Sequence, residues 1–218
     1  MRIIIFGIGS QAELAYYLFT HDSPHEVVGF CLDRAFLPAD MTTFCHLPVV
    51  AAEDLSELFP ASTHQLHIAL GRNNARAAAS ARMQDQGYQC ASYVCSKAQV
   101  WKDLVLGKNA FVDQGTRIHP FVTIGDNAVL VGASIGHHAT VGHNVLASLA
   151  YIGAKSTIGD GCYLGMNCVI REGIRLGKNN IIGAGACITE DTEDNAVFSA
   201  PRSRKRTVDP ARVAFFRK

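Results

Sequence analysis

The sequence lacks the features that mark several common classes of protein. Its charges nearly balance, with 20 Lys and Arg residues against 19 Asp and Glu, which excludes a generally basic nucleic-acid binder and an acidic, self-repelling disordered chain. It has no run of about 18 uncharged apolar residues, so we expect no membrane span. The opening residues carry neither a long apolar stretch nor an A-x-A cleavage site, and we expect no signal peptide.

The seven cysteines include no C-x-x-C pair, and they are odd in number and scattered. A disulfide framework is therefore not expected in a chain of 218 residues, and we interpret the cysteines as reduced thiols of a cytoplasmic protein. The hydrophobic content of 48% is enough to bury a core in one large domain or two small ones.

The balanced total charge conceals a basic C-terminal tail. From Arg202 onward the chain has seven basic residues and one acidic residue, which leaves thirteen basic against eighteen acidic residues in the rest. We therefore treat residues 201–218 as a separate basic tail on an acidic body.

A six-residue repeat dominates the second half of the sequence. Small aliphatic residues recur at this spacing, and Gly follows many of them. Three such hexads make one coil of a parallel β-helix, in which each aliphatic side chain points inward and stacks on its equivalent in the next coil. The repeat predicts an all-β solenoid over residues 99–200. The positions in phase are Leu106, Val112, Ile118, Ile124, Leu130, Ile152, Ile158, Leu164, Ile170, Leu176, Ile182 and Ile188.

The repeat loses phase twice, between residues 130 and 135 and between residues 141 and 152. Between the slips lies the polar segment S-I-G-H-H-A-T-V-G-H-N, which carries His137, His138 and His143. Broken local rules often mark functional sites, so the slips favour a site in this segment. Two deletions at corner turns are the alternative.

Residues 1–98 follow a β-α-β alternation instead. R-I-I-I-F and E-V-V-G-F-C-L are apolar runs typical of buried strands, and A-E-L-A-Y-Y-L-F between them has an apolar helical face. H-Q-L-H-I-A-L-G predicts a third strand, N-A-R-A-A-A-S-A-R-M-Q-D-Q-G a second helix and C-A-S-Y-V a fourth strand. The pattern predicts a Rossmann-like α/β domain, about half the size of a full dinucleotide-binding fold.

A glycine-rich turn, G-I-G-S-Q-A, follows the first predicted strand and opens the first helix. Glycines permit a tight turn there, and helix N-terminal amides bind phosphate. Three interpretations stay open: a turn that binds nothing, an NAD site, and a site for one nucleotide, which suits the half-size domain best. The residues that would line the site are Gly7, Gly9, Ser10, Gln11, Asp33 and Asn73. Asn73 also suits a helix cap.

An imidazole accepts a proton at neutral pH, as acyl transfer to an amine or a hydroxyl requires. His137 and His138 are adjacent near a predicted corner and should point in different directions, so at most one of them is the base. A structural role for the rings stays open. H-H-x4-H has no recognised ligand spacing, and we expect no metal site. His143 lines the same cleft or faces solvent.

These motifs together resemble the two-domain hexapeptide-repeat sugar acyltransferases, a family that groups sialic acid O-acetyltransferases with bacterial UDP-4-amino-sugar N-acetyltransferases. The resemblance covers nearly the whole chain. It rests on I-I-I-F-G-I-G-S-Q-A-E-L-A-Y-Y-L-F, I-A-L-G-R-N-N-A-R-A, the junction S-K-A-Q-V-W-K-D-L-V-L-G-K-N-A-F-V, the active-site coil with I-G-H-H-A-T-V-G, and the terminal run of coils from I-G-D-G-C-Y-L-G to A-C-I-T-E-D.

The resemblance implies a left-handed β-helix, a homotrimer with acetyl-CoA in clefts between neighbouring solenoids, and a role in surface-glycan biosynthesis. His137 maps onto the family's general base, and Gly153 is the family-like candidate for an oxyanion donor. His138 stands where amino-sugar enzymes often carry an acidic residue, and L-A-S-L at 146–149 replaces a further family histidine. The other residues expected to bind acetyl-CoA are Gly165, Gly183, Gly185, Arg202, Arg204 and Lys205. A tail that is only solvated is the alternative for the last three.

The sequence thus predicts an enzyme that transfers an acetyl group from acetyl-CoA to an amine or hydroxyl of a nucleotide-linked sugar, with His137 as general base. Two other classes stay open. A non-catalytic binding or scaffold protein on a degenerate acyltransferase fold would account for the phase slips and the missing histidine. A γ-carbonic-anhydrase-like metalloenzyme on the same solenoid would bind zinc.

Overall fold

The computed structural model describes residues 1–203. Its N-terminal part is a six-stranded sheet in the order β3-β4-β2-β1-β5-β6, parallel except for the edge strand β3. The strands are β1 (Arg2–Phe6), β2 (Glu26–Leu32), β3 (Thr43–Phe44), β4 (Leu47–Ala51), β5 (His64–Ile68) and β6 (Gln89–Cys90). The helices are α1 (Ser10–Asp22), α2 (Leu55–Leu58) and α3 (Asn73–Asp85), with 3₁₀ turns at Arg34–Phe36 and Ala52–Asp54.

The two long helices cover opposite faces of this sheet. Ala12, Ala15 and Phe19 of α1 pack on one face, and Ala79 and Met83 of α3 pack on the other. From β1 the chain passes through α1 to β2 on one side of β1, and it later returns to β5 on the other side of β1. The strand order therefore reverses at β1. Such a reversal opens a crevice at the carboxyl ends of the two strands, which is where ligands bind in open α/β sheets.

The predicted strands and helices of this part are confirmed, with two differences. C-A-S-Y-V does not form one strand, because Cys90 ends β6 while Tyr93 already begins the first strand of the solenoid. The sequence analysis also missed the hairpin of β3 and β4. Only five residues form β4, and Pro48 near its start weakens the strand signal.

The rest of the described chain forms a solenoid of three parallel sheets, and between residues 111 and 188 successive strands pass from the first sheet to the second and then to the third. The first sheet holds β7 (Tyr93–Val94), β9 (Phe111–Val112), β12 (Val129–Val131), β15 (Leu146–Ser148), β18 (Tyr163–Leu164), β21 (Ile181–Ile182) and β23 (Val197–Phe198). The second holds β10 (Arg117–Ile118), β13 (Ser134–Ile135), β16 (Tyr151–Ile152), β19 (Val169–Ile170) and β22 (Cys187–Ile188). The third holds β8 (Val105–Leu106), β11 (Thr123–Ile124), β14 (Thr140–Val141), β17 (Thr157–Ile158) and β20 (Arg175–Leu176). The predicted fold class, an α/β half-domain followed by a left-handed parallel β-helix, is confirmed.

The aliphatic residues of the repeat form the core of this solenoid. All twelve in-phase positions lie in it, buried except for the partly exposed Leu106. The glycines that follow them lie where one coil approaches the next. A Cβ on Gly153 would lie 2.4 Å from the backbone nitrogen of Glu172, and one on Gly159 would lie 2.6 Å from the backbone of Gly177. The repeat therefore requires glycine because neighbouring backbones leave no room for a side chain.

The two phase slips lie one above the other at the corner between the first and second sheets. Leu130 pairs with Ala147 before the corner, and Ile135 pairs with Ile152 after it, so both coils are shortened at the same turn. Gly132 lies at this corner with a φ of +62°. His137 and His138 lie at another corner, so the alternative of two deletions at corner turns accounts for the slips.

The N-terminal part packs against the first sheet of the solenoid. Phe111 and Val129 share a buried cluster with Phe19 of α1 and Phe30 of β2. The division of the chain into two domains after residue 98 stays a prediction. The strand β7 lies before this position and already pairs with β9 of the solenoid. Within residues 1–203, no helix is long and apolar enough to cross a membrane.

His67 lies at this joint and makes stability depend on pH. Its ring is buried between Phe19 and Phe111, with centroids 5.1 and 5.8 Å away, and its Nδ1 lies 3.0 Å from the carbonyl oxygen of Ala91. Burial lowers the pKa of His67 to about 4. Because only the unfolded chain binds the proton between pH 6.5 and 4, we expect stability to be complete above pH 6.5 and to fall by up to about 3 kcal/mol towards pH 4.

Urea unfolding at pH 7.5 and pH 5 measures this effect, with His67→Gln as the comparison, because glutamine keeps a donor for Ala91 and does not titrate. The wild-type protein should lose about 1–2 kcal/mol more than His67→Gln over this interval. Equal losses in both proteins would contradict the assignment to His67.

Candidate active site

The turns after β1 and β5 border the crevice where the sheet reverses. Gly7 has a φ of +130°, and a Cβ there would lie 3.0 Å from the carbonyl oxygen of Ala69, so the chain passes between the two strand ends only with glycine. Gly9 and Gly71 face open space, with no atom within 4 Å of an added Cβ. The N-terminus of α1 has no side-chain cap. The crevice therefore leaves the first amides of α1, at Ser10 and Gln11, open to an anion.

Asp33 lies at the end of β2, next to a slot of about 290 Å3. Its carboxylate accepts a hydrogen bond from Arg82, whose guanidinium lies 5.7 Å from the centre of the Phe6 ring. The slot is lined by Phe6, Leu32, Asp33, Phe36, Leu70, Ala75, Ala78, Ala79 and Arg82. Apolar walls with one ion pair suit a flat heterocycle that offers both donors and acceptors at its edge.

Asn73 stands where α3 meets the solenoid. Its Nδ2 donates to the carbonyl oxygens of Gly161 and Cys162, both at 3.1 Å, and its Oδ1 accepts from Arg76 at 2.8 Å. Arg72 occupies the N-cap position, so the alternative that Asn73 caps α3 is wrong. The side chain of Asn73 joins the two halves of the chain, and it adjoins a cleft of about 570 Å3 between α3 and the solenoid.

Arg76 is the buried centre of the same joint. Its side chain is fully enclosed and donates from Nε to the carbonyl oxygen of Asn127 at 2.9 Å, and from Nη1 to that of Leu70 at 2.9 Å. Burial lowers the pKa of Arg76 to about 10, which leaves it protonated at neutral pH. The β5–α3 turn is thus fixed to the solenoid by a buried cation with neutral acceptors.

His137 and His138 are exposed at the corner between the second and third sheets. Their Nδ1 atoms lie 3.0 Å apart, and the rings are nearly perpendicular at 87°. This corner is opposite the first sheet, which carries the N-terminal part. The two cavities at the carboxyl edge of the N-terminal sheet include neither histidine. One chain therefore does not bring His137 together with Gly9, Ser10 and Asp33.

His143 belongs to the corner between the third and first sheets. Its Nδ1 accepts from the backbone N–H of Asp126 at 3.0 Å, and its own N–H donates to a carboxylate oxygen of Asp160 at 2.9 Å. In the next coil, Asp160 thus accepts from the backbone N–H of His143, as His143 accepts from that of Asp126 in the coil before. His143 therefore links successive coils, away from the corner that carries the other two histidines.

The backbone N–H groups of the predicted acetyl-CoA-binding glycines are used within the solenoid. That of Gly153 donates to Ile170 at 2.9 Å, so a role as oxyanion donor would require this hydrogen bond to be shared. Gly165, Gly183 and Gly185 lie at the corner between the first and second sheets and donate to backbone oxygens at 2.7–2.9 Å. Arg202 is exposed, whereas Arg204 and Lys205 lie outside the described residues.

Sequence reasoning missed Arg82, Phe36 and Arg76. Phe36 follows the end of β2 and Arg82 faces it from α3, and no motif in the sequence marks either residue. Arg76 stands in an alanine-rich helix where a basic residue is usually solvent-exposed, so only its packing identifies it. Among residues 1–203, no group of three His, Cys, Asp or Glu side chains is arranged to hold a metal ion.

Residues 89–197, half of the chain, match the family model described as the GMPPB C-terminal domain. No curated protein sequence matches the chain significantly. One similar solved structure is a histidine-to-asparagine mutant of perosamine N-acetyltransferase from Caulobacter crescentus in complex with CoA and GDP-perosamine. It is 22% identical, with 90% of this chain and 92% of that chain covered and a TM-score of 0.82.

Two further solved structures are similar over both parts of the chain. The acetyltransferase domain of PglB from Neisseria gonorrhoeae, in complex with acetyl coenzyme A, is 17% identical, covers 90% of this chain and 94% of its own, and has a TM-score of 0.79. WeeI from Acinetobacter baumannii is 19% identical, with coverage of 90% and 96% and a TM-score of 0.77. The predicted resemblance to two-domain hexapeptide-repeat proteins is thereby confirmed at the level of the fold.

Proposed function

The chain belongs, through residues 89–197, to the family of the GMPPB C-terminal domain, and from this premise we propose that it is an acetyl-CoA-dependent sugar acetyltransferase. The observation that carries the proposal is the exposed His137 on a coil corner, in hydrogen-bond contact with a second imidazole. Solved structures of the same two-part fold were determined with CoA and GDP-perosamine and with acetyl coenzyme A, which supports both substrate classes.

The crevice between β1 and β5 binds the nucleotide end of a nucleotide-linked sugar. The diphosphate lies at the open amides of Ser10 and Gln11, where the positive end of the α1 dipole stabilises it. The base enters the slot beside Asp33, whose apolar walls and ion pair suit a heterocycle. Open space at Gly9 and Gly71 allows the ligand to approach the backbone.

The reaction then requires two protomers, because His137 lies across the solenoid from the crevice of its own chain. A homotrimer places the histidine corner of one protomer against a neighbour. Gly165, Gly183 and Gly185 lie at the edge of the second sheet that is away from His137. Acetyl-CoA bound along this edge reaches the His137 of a neighbouring protomer. Arg202 at the end of this run would meet the CoA phosphates.

His137 acts as the general base. It takes the proton from the acceptor nitrogen or oxygen as that atom attacks the thioester carbonyl carbon, which forms the C–N or C–O bond and an oxyanion. Collapse of this intermediate restores the carbonyl and breaks the C–S bond. The CoA thiolate leaves with the sulfur electrons and receives the proton from His137.

Incubation of the full chain with acetyl-CoA and UDP-, dTDP-, CMP- or GDP-linked amino sugars tests the proposal. We expect free thiol to appear only with an acceptor and in equal amount to an acetylated product seen by mass spectrometry. Binding of a nucleotide sugar with no thiol release would overturn the proposed activity and favour a non-catalytic binding protein.

A further inference from the structure

The contact between the two imidazoles at the corner has a consequence for which nitrogen of His137 carries the proton. The Nδ1 atoms lie 3.0 Å apart with the rings at 87°, a separation at which one nitrogen donates a hydrogen and the other accepts it. In the neutral pair, the ring that donates from Nδ1 has an unprotonated Nε2, while the ring that accepts at Nδ1 carries its hydrogen on Nε2. Only the first state leaves His137 a lone pair on its outer nitrogen.

We propose that His138 is a positioning residue that accepts a hydrogen bond from Nδ1–H of His137 and thereby keeps Nε2 of His137 free to take the acceptor's proton. The inference rests on the proposed function only for the role of Nε2 as the base. The tautomer itself is a property of the protein without substrate. A carboxylate beside a catalytic imidazole does the same work in other enzymes. The difference is that an imidazole that binds a second proton can no longer accept at Nδ1, whereas a protonated carboxyl group keeps an acceptor oxygen.

The backbone holds His138 in the place that this contact needs. Its φ is +59°, a left-handed conformation that His, Asn and Asp adopt more readily than most side chains and that recurs at the corners of the solenoid, as at Asn144 and Lys155. Its N–H donates to the carbonyl oxygen of Pro120 at 3.2 Å, and its ring lies 4.6 Å from that of Phe121. The carbonyl oxygen of His137 in turn accepts from the N–H of Lys155 in the next coil at 2.9 Å. Both histidines are thus fixed through their backbones to neighbouring coils.

Three titratable or charged groups lie on the coils around the pair, and the side chains of Asp103 and Lys155 have partners of their own. The Asp103 carboxylate accepts from the backbone N–H of Phe121 at 2.5 Å, and the Lys155 amino group lies 3.7 Å from the Glu172 carboxylate. His119, in the coil before, donates its backbone N–H to a carbonyl oxygen of the second sheet. His138 is the partner that the structure gives to the His137 ring.

The pair predicts a distinctive loss of activity in acid. A proton on His138 turns its Nδ1 into a donor, which abolishes the acceptor, and a proton on His137 occupies the base itself. Either event stops the reaction, so the acid limb of log kcat/KM against pH should steepen from a one-proton towards a two-proton slope. With an acceptor that does not titrate, the limb keeps a one-proton slope throughout.

Three variants that tolerate a positive φ separate the possibilities. His138→Asn keeps an uncharged acceptor, His138→Asp supplies a charged one, and His138→Gly removes it. We expect His138→Gly to lower kcat by about 10- to 100-fold with little change in KM, and His138→Asn and His138→Asp to retain more activity with a one-proton acid limb. Wild-type kcat in His138→Gly, or a one-proton limb in the wild-type protein, would overturn the proposal.

NMR of protein labelled with ¹⁵N at histidine gives a readout that does not depend on acetyl transfer. With both rings neutral, we expect His137 to carry its hydrogen on Nδ1 in the wild-type protein and to exchange between both tautomers in His138→Gly. A hydrogen fixed on Nε2 of His137 in the wild-type protein would overturn the positioning role. If no acetyl transfer were found with any acceptor, the proposed function would fail while this spectrum still decided the role of His138.

Discussion

Replacing His137 by asparagine is expected to slow acetyl transfer by about 10²–10⁴-fold, the range that a positioned general base contributes. Asparagine fits the exposed corner and cannot take a proton from the attacking amine or hydroxyl. Single-turnover transfer with saturating acetyl-CoA measures the effect on the chemical step, apart from product release.

His46→Asn is the matched control for this variant. His46 is also exposed, lies in the hairpin of the N-terminal sheet, and has a φ of +65° that asparagine adopts readily. We expect it to leave the transfer rate unchanged. A loss of less than about tenfold in His137→Asn would contradict the assignment of His137 as the base.

The second large effect is on stability, at Arg76. Arg76→Met fills a similar volume but leaves the carbonyl oxygens of Asn127 and Leu70 and the side-chain oxygen of Asn73 without their donor. Each unsatisfied buried acceptor costs about 1–3 kcal/mol, so we expect the free energy of unfolding to fall by about 3 kcal/mol or more. Urea denaturation measures the change.

Arg82→Met tests whether this cost comes from burial. The Arg82 side chain is 44% exposed and pairs with Asp33 at the surface, so its loss should cost less than about 1 kcal/mol. If the two methionine variants were equally stable, the joint between α3 and the solenoid would not depend on the buried guanidinium.

The solenoid was predictable because its rule is local. An inward aliphatic residue at every sixth position, with glycine beside it, reflects stacking of one coil on the next, and Ile152 and Gly153 obey this rule as individual residues. The α/β half was predictable from runs such as R-I-I-I-F for the same reason. Strand β4 was missed because five residues with a proline give little periodic signal.

The site was predictable only in part, because it depends on contacts between distant residues. The spacing of Gly7 and Gly9 identified the turn, and the conspicuous I-G-H-H identified the histidines. Nothing in the sequence could show that the carboxamide of Asn73 would reach Gly161, or that the N–H of Gly153 would be used by Ile170. That His143 would link coils at a different corner from His137 likewise followed only from its contacts with Asp126 and Asp160.

We propose that a functional site combines the nucleotide crevice of one protomer with the His137 of another. Gly9→Glu blocks the crevice, because its side chain enters open space and sets a carboxylate against the diphosphate. Each single-variant protein, Gly9→Glu or His137→Asn, should be inactive. Co-expression of both with different tags, followed by purification through both tags, gives mixed oligomers.

Acetyl transfer by these mixed oligomers is the decisive measurement. If each site draws its crevice and its base from neighbouring protomers of a trimer, every mixed trimer has one intact site of its three, so about a third of the wild-type rate per site should be restored. Mixed oligomers as inactive as the single variants would contradict the shared site. A site whose crevice and base belong to the same chain stays defective in every variant chain, so mixing could not restore it.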